Sequence, residues 1–342
     1  MQIAEIHGST GDTTVMVGER LADLPRYVPT EKTVVVTDDN IKRLYGHLLP
    51  DCPVLTMGTG EAEKNLATVG RLYEELMGLG ADRTSFIVAV GGGIVCDVAG
   101  FVASTYLRGV PFGFVAATLL AQVDASVGGK NGVNVGGFKN MAGVFNQPKF
   151  VICDPDLLVT LPQREILSGA AEIIKHAAIA DKRLFAYLEE NGHRLLELER
   201  EVVEKLVYDS VMIKSAVVNR DEKETGERRK LNFGHTFGHA VEKMTGVPHG
   251  EAVAIGMVVA GALSMGRGLL TPSELGRMEN LIDTMGLPTR LECEPEKLFE
   301  VMRKDKKREG EFIHFVLLDG IGRAVVEKIT LTELKEAVRS LD

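Results

Sequence analysis

The segment Leu231–Glu242 and the Pro248-His249-Gly250-Glu251 that follows it concentrate the chemistry of this chain, holding three of its eight histidines. His235 and His239 are four residues apart, so on a helix they share one face a turn apart. Gly246 and Pro248 break the segment and can turn His249 back toward the pair. Imidazole suits zinc and its neighbours, and three protein ligands with one open position describe a catalytic metal site rather than a structural one. The glutamate of a His-Glu-x-x-His zinc protease is missing, because Thr236 stands there. Capping or core-edge histidines are the competing reading, and for His235 and His239 alone that reading wins. The third histidine and a carboxylate on an apolar segment reverse it. That carboxylate is Glu172, within Ser168–His176. A buried carboxylate needs a cation, a hydrogen-bond partner or a metal. An exposed helical salt bridge to Lys175 is the alternative on this segment.

These groups need elements to hold them, and the chain has two textures. Up to about residue 155, β-branched runs (Thr33–Thr37, Val54–Thr56, Ser85–Val90, Phe112–Ala116, Phe150–Cys153) alternate with helical spacing over Asn40–Leu49 and Glu63–Leu79. Such alternation predicts a mainly parallel, Rossmann-like sheet covered by helices. Long amphipathic stretches follow: Arg164–Asn191, Glu197–Asn219, Gly234–Met244, Glu251–Gly266 and Pro272–Met285. One late hairpin is expected over Phe312–Leu318 and Arg323–Lys328. The division is therefore an α/β domain over 1–158 and a mainly α-helical domain over 159–342. Gly91-Gly92-Gly93 ends the strongest strand and opens the helix Ile94–Thr105, exposing backbone N–H groups and a positive dipole end to a phosphate. It departs from the dinucleotide fingerprint, since Cys96 stands at the last glycine position. A tight turn with no ligand is its competitor. Asp97, in the first turn, either caps that helix or accepts a hydrogen bond from a nucleotide. The polar stretch Gln122–Asn134 with Phe138-Lys139-Asn140 reads as loops beside the sheet. Its Asp124, Lys130, Lys139 and Asn140 make a wall for a small anionic, hydroxyl-bearing ligand.

Composition sets outer bounds. A chain of 342 residues exceeds one usual core, and its net charge of −9 argues against general nucleic-acid affinity. Basic clusters at Arg228–Lys230 and Arg303–Arg308 read either as solvated loops or as pockets for an anionic small molecule. Four scattered cysteines without a Cys-x-x-Cys point to reduced thiols and a cytoplasmic protein. The apolar run Ala252–Met265 is read as too short and glycine-broken to span a bilayer, so no membrane partner is expected.

Taken together, several separated motifs resemble those of the 3-dehydroquinate synthases, a family of sugar-phosphate cyclases. They are Gly91-Gly-Gly-x-x-x-Asp97-x-x-Gly-Phe101, Thr118-Leu-Leu-Ala-Gln-Val-Asp124-x-Ser-Val-Gly-Gly-Lys130, Thr160-Leu-Pro-x-Arg-Glu165, Ser168-Gly-x-Ala-Glu172-x-x-Lys175, the histidine segment with His249-Gly-Glu251, and Asp305-Lys-Lys307. The resemblance implies NAD as a regenerated catalyst and one divalent metal, zinc first and cobalt as the alternative, held by Glu172, His235 and His249. His239 then belongs to the substrate pocket. The implied substrate is 3-deoxy-D-arabino-heptulosonate 7-phosphate. The implied chemistry is transient C5 oxidation, β-elimination of phosphate, re-reduction, ring opening and aldol closure to 3-dehydroquinate. On the same resemblance Lys130, Lys175, Lys214, Arg228, Lys306 and Lys307 supply cations, while Asn140, Asn232, His239 and Asp124 complete the catalytic set. Arg108 is implied to reach phosphate across a homodimer interface. Asp38, Asn40, Glu61 and Lys64 are implied near the adenosine end of NAD, with Gly92, Gly93, Asp97, Thr118, Lys139 and Thr160 lining the rest.

Three positions depart from the family pattern: Ala117 replaces a threonine, Phe138 a glycine, and Asn131 a common threonine. They bear on NAD affinity and loop shape rather than on the chemistry. The rival readings are a cyclase making an amino-dehydroquinate or an inosose, a metal-dependent polyol dehydrogenase that would release NADH, and a non-catalytic NAD-sensing protein. The full lysine set and the intact metal residues argue against each.

Overall fold

The computed structural model of the chain describes residues 1–290, 295–303, 308–309 and 312–339. The chain forms two compact units, Met1–Leu161 with Val203–Lys223, and Pro162–Val202 with Glu224–Asp342. The division at 158/159 did not foresee that the segment 203–223 returns to the first unit.

The first unit contains strands β1 (Gln2–Gly8), β2 (Gly11–Val17), β3 (Thr33–Asp38), β4 (Val54–Met57), β5 (Phe86–Gly91), β6 (Phe112–Ala116), β7 (Lys130–Val135), β8 (Phe138–Phe145) and β9 (Phe150–Cys153). Seven of them build one sheet in the order β1-β2-β9-β6-β5-β3-β4, parallel except for the β1–β2 pair. β5 and β6 are buried along their whole length, which is why they read as continuous apolar runs rather than alternating ones. Helices α1 (Asp39–Tyr45), α2 (Leu66–Gly78) and α3 (Gly93–Thr105) connect the strands. The Asn65 side chain caps α2, accepting from Thr68 N at 2.9 Å. A core cluster joins Met16, Leu21, Val35, Val88, Val115 and Ile152, with the Phe150 ring stacked on Phe86 at 5.9 Å. Each such fully buried side chain contributes about 1.5–3 kcal/mol. From β3 the chain steps outward to β4, then returns to lay down β5, β6 and β9 on the opposite side. The reversal falls between β3 and β5, and open α/β sheets bind ligands at the carboxyl ends of such strands. Those ends carry Asp38 and Gly91.

Two hairpins escaped the sequence reading. β1–β2 precedes the first expected strand, and β7–β8 stands where loops were expected.

The second unit contains α4 (Gln163–Ala180), α5 (Lys182–Leu196), α7 (His235–Thr245), α8 (His249–Gly266), α9 (Pro272–Thr284), α10 (Pro295–Arg303) and α11 (Leu331–Arg339). Between α5 and α7 runs α6 (Arg200–Arg220), most of which belongs to the first unit. A small antiparallel sheet, β10 (Arg308–Glu309), β11 (Phe312–Leu318) and β12 (Ala324–Thr330), includes the expected late hairpin. The stretch Arg164–Asn191 is two helices, because Asp181 leaves helical geometry and caps α5 through Arg183 N at 2.8 Å. α8 is the centre of this unit, packed against α4, α7 and α9. At 18 residues it is long and apolar enough to cross a membrane, contrary to the expectation from its sequence, but 67% of it is buried inside the protein. Packing, not length, marks it as a core helix.

Candidate active site: a nucleotide cradle and a metal centre

In the first unit the glycine turn joins β5 to α3, as expected. Gly92 occupies the N-cap of α3, just past β5, and no cap side chain bonds the first-turn N–H groups. A Cβ on Gly92 would come 3.0 Å from Thr118 Cγ2, and one on Gly93 would come 2.8 Å from Ala125 Cβ. Side chains there would crowd the cradle. Asp38, at the end of β3, caps α1 through Ile41 N at 2.9 Å, and burial raises the pKa of its carboxyl. Asn40 lies exposed in the first turn of α1. Asp97 lies beyond the first turn of α3 and does not cap it. Its carboxylate instead pairs with the buried ammonium of Lys64. Burial pushes the Asp97 pKa up, and Lys64 opposes that shift. The Thr160 hydroxyl lies 2.9 Å from Tyr45 Oη.

The polar stretch after β6 is more ordered than its composition implied. Asp124 sits in a single π-helical turn, Ala121–Ala125, of the kind often found at functional sites. Lys214, from α6, reaches back to the Asp124 carbonyl and carboxylate, each at 2.6 Å. Four residues far apart in sequence, Lys64 with Asp97 and Asp124 with Lys214, thus form two ion pairs in one unit, each with a buried lysine and a half-buried aspartate. Lys130 opens β7, while Lys139 and Asn140 lie exposed on β8. Arg108 is exposed in the turn after α3, with a left-handed φ of 70°.

The second unit brings together the three residues expected to hold a metal. Glu172 faces inward from the middle of α4, completely buried, and pairs with Lys175 one turn on. His235 begins α7 and His249 begins α8. Their Nε2 atoms each lie 3.5 Å from Glu172 Oε1. Ligand atoms about 2.0–2.2 Å from a common centre at tetrahedral angles stand roughly 3.3–3.6 Å apart, so these spacings fit a zinc-sized ion. The outer ring nitrogens are held as metal-ligating histidines require. His235 Nδ1 meets the Phe233 carbonyl at 3.1 Å, and His249 Nδ1 meets Glu242 at 3.5 Å. Burial keeps the His235 pKa well below the usual imidazole range. At His249 burial acts the same way, but the carboxylates of Glu172 and Glu242 outweigh it and raise the pKa to about 9. His239 is not in the group whose ligand atoms converge, although its ring lies 5.3 Å from that of His235 and perpendicular to it.

Close backbone packing makes this convergence feasible. A Cβ on Gly238 of α7 would sit 2.8 Å from the Ala252 carbonyl of α8, and one on Gly250 would collide with Ser168 of α4. The other predicted members of this unit lie on the segment before α7. Arg228 is buried, and Asn232 Nδ2 donates to Glu224 Oε1 at 2.5 Å. Lys306 and Lys307 lie outside the described residues. Sequence reasoning missed Glu242 and Glu224, which orient His249 and Asn232. Glu242 carried a legible signal, standing one helical turn beyond His239.

Comparison with known proteins identifies the family. Residues 54–168 match the family model for the 3-dehydroquinate synthase N-terminal region, and 169–308 match that for the C-terminal region. The 3-dehydroquinate synthase of Thermoanaerobacter pseudethanolicus is 42% identical over 326 residues, covering 92% of each chain. That of Pelotomaculum thermopropionicum is 46% identical over 324 residues, covering 91% of this chain and 86% of its own. Among solved structures, a 2-deoxy-scyllo-inosose synthase complexed with carbaglucose-6-phosphate, NAD+ and Co2+ superposes with a TM-score of 0.89 at 26% identity, covering both chains fully. The 2-epi-5-epi-valiolone synthase of Streptomyces hygroscopicus, with NAD+ and Zn2+ bound, gives 0.88 at 29% identity, covering 100% of this chain and 99% of that one. A probable glycerol dehydrogenase of Sinorhizobium meliloti, at 18% identity, shares the fold. By the extent and identity of these matches, the chain belongs to the 3-dehydroquinate synthase family.

Proposed function

We propose that the chain converts 3-deoxy-D-arabino-heptulosonate 7-phosphate to 3-dehydroquinate and inorganic phosphate, acting as a carbon–oxygen lyase. The observation that carries this reading is the identity of 42–46% to relatives of that name, against 26% and 29% to the solved inosose and valiolone synthases. When bound, NAD+ supplies a reversible hydride acceptor and a divalent ion supplies Lewis acidity toward the substrate hydroxyl. Zinc is the ion we assign, because two imidazoles and one carboxylate form the donor set of a catalytic zinc site.

The residues divide the work. Glu172, His235 and His249 would hold the ion, with Glu242 and the Phe233 carbonyl fixing the imidazole orientations. Lys175 balances the charge of Glu172 and presents its ammonium beside it. Lys130, Lys214, Arg228, Lys306 and Lys307 would neutralise the substrate's phosphate and carboxylate. Asn140, Asn232 and His239 would fix its hydroxyls, and Asp124 holds Lys214 in place. Phosphate departure needs charge neutralisation more than a strong protein base, which suits a set rich in cations. In the first unit Gly92 and Gly93 would receive the pyrophosphate at the N-terminus of α3. Asp38, Asn40, Glu61 and Lys64 would serve the adenosine end, and Asp97, Thr118, Lys139 and Thr160 the remainder. We further propose a cytoplasmic homodimer in which Arg108 reaches the phosphate site of the partner.

Substrate selectivity tests the reading. With zinc and NAD+ present, the protein should turn over the heptulosonate phosphate and leave glucose 6-phosphate and sedoheptulose 7-phosphate unchanged, with product identified by NMR. Preferred cyclisation of either of the latter would assign it to another branch of the cyclases.

A further inference from the structure

We infer that Asn134 is a positioning residue that locks the β7–β8 hairpin onto the Glu61–Asn65 loop and thereby sets the affinity for NAD+. Nothing above assigns it a role, yet it bonds to three residues that have one. Its Nδ2 donates to Glu61 Oε1 at 2.7 Å, its backbone N–H donates to the Lys64 carbonyl at 2.9 Å, and its Oδ1 accepts from Asn140 N at 2.8 Å. An isolated β-bridge between Asn65 and Asn134 adds a backbone link between the two segments. Across the same junction the Lys139 ammonium lies 4.0 Å from Glu61.

The chemistry of an amide is what this position requires. Its donor meets a carboxylate, while its acceptor meets an N–H on the same hairpin, so neither a carboxylate nor an ammonium satisfies both. The acceptor has a particular task. Asn140 holds a left-handed backbone, φ 53°, which asparagine tolerates better than most residues and which the bond from Asn134 helps to fix. The turn it closes contains Gly136 and Gly137, both at positive φ, and so has little stiffness of its own. Asn134 supplies that stiffness from the base of the turn. Through one side chain, the loop carrying Glu61 and Lys64 and the strand carrying Lys139 and Asn140 keep a common register.

This inference rests on the nucleotide reading, and the test separates the two. NAD+ binding is measured by titration calorimetry on the metal-free protein. Asn134→Asp is nearly isosteric and keeps the acceptor for Asn140, but it sets a carboxylate against Glu61. It should weaken NAD+ binding by at least about tenfold. In a Glu61→Gln background, where a glutamine amide can donate to the new carboxylate, the same substitution should cost less than about threefold. Asn134→Ala, which lacks both bonds, should weaken NAD+ binding and also raise KM for the sugar phosphate through Asn140. Equal binding by wild type and Asn134→Asp, or an undiminished loss in the Glu61→Gln background, overturns the positioning role alone. A wild-type protein that binds no NAD+ overturns the nucleotide reading with it.

Discussion

If Glu172, His235 and His249 hold the metal as proposed, replacing His235 by alanine removes one of three ligands, and the cost can be scaled. Four-ligand structural zinc sites bind with about 10–16 kcal/mol, or roughly 2.5–4 kcal/mol per ligand. The His235 and His249 Nε2 atoms stand at equal distances, 3.5 Å, from Glu172 Oε1, so His235 should carry a full ligand's share. His235→Ala should therefore weaken zinc affinity by about 10²–10³-fold. His239 lies outside the triad, its ring edge-on to His235. His239→Ala should change metal affinity by less than about tenfold while activity falls by about 10²-fold or more, the share of a lost acid–base or hydroxyl-binding group. Competition with a chromophoric chelator reads the affinities directly, and zinc content after dialysis checks them. If His239→Ala strips the metal as fully as His235→Ala, or if His235→Ala holds zinc within tenfold of wild type, the ligand assignment fails.

Other consequences follow from the same geometry. His249 in the metal-free protein is held protonated up to about pH 9, so zinc must displace a proton to bind there. Zinc affinity should thus rise about tenfold per pH unit up to pH 9 and flatten above it. Chelator titrations across that range check this, and a pH-independent affinity would contradict it. Lys175→Met leaves the Glu172 carboxylate buried without its ammonium, which should cost about 3–5 kcal/mol of stability. Thermal melts should show zinc recovering part of the loss, and a variant as stable as wild type without zinc would refute the charge-balance role. Arg108→Ala and His239→Ala, each inactive alone, should regain about a quarter of wild-type activity when co-assembled in equal amounts, since half the dimers hold one intact site. Verified mixed dimers without activity would place Arg108 in its own subunit's site or in a structural role.

The features legible in the sequence were those with strong local periodicity. β3, β5, β6 and β9 read as strands because both faces of a parallel sheet are covered. The triad was legible through ligand types and a helix-breaking Gly246-Val-Pro248. The β1–β2 hairpin was not, because only Ala4 and Ile6 of β1 are buried and its other face carries Ile3, Glu5 and His7, exposed and of mixed character. The β7–β8 hairpin hid behind its glycines, although Gly136-Gly137, at φ 60° and 78°, is a recognised signal for a two-residue hairpin turn. The capping role weighed for Asp97 does not hold, because its carboxylate pairs with Lys64, 33 positions away on another element. Contacts of that range are set by the fold, and no local pattern announces them. The same holds for Lys214 and Asp124, joined across 90 positions.

The central claim is that NAD+ is used and restored within each turnover. The most direct measurement follows phosphate release from the heptulosonate phosphate and NADH absorbance in one cuvette, with NAD+ substoichiometric to substrate and zinc present. Many phosphates should be released per NAD+ with no net accumulation of NADH. NADH rising in step with substrate consumed, without phosphate release, would contradict it and make the protein a dehydrogenase on the same fold.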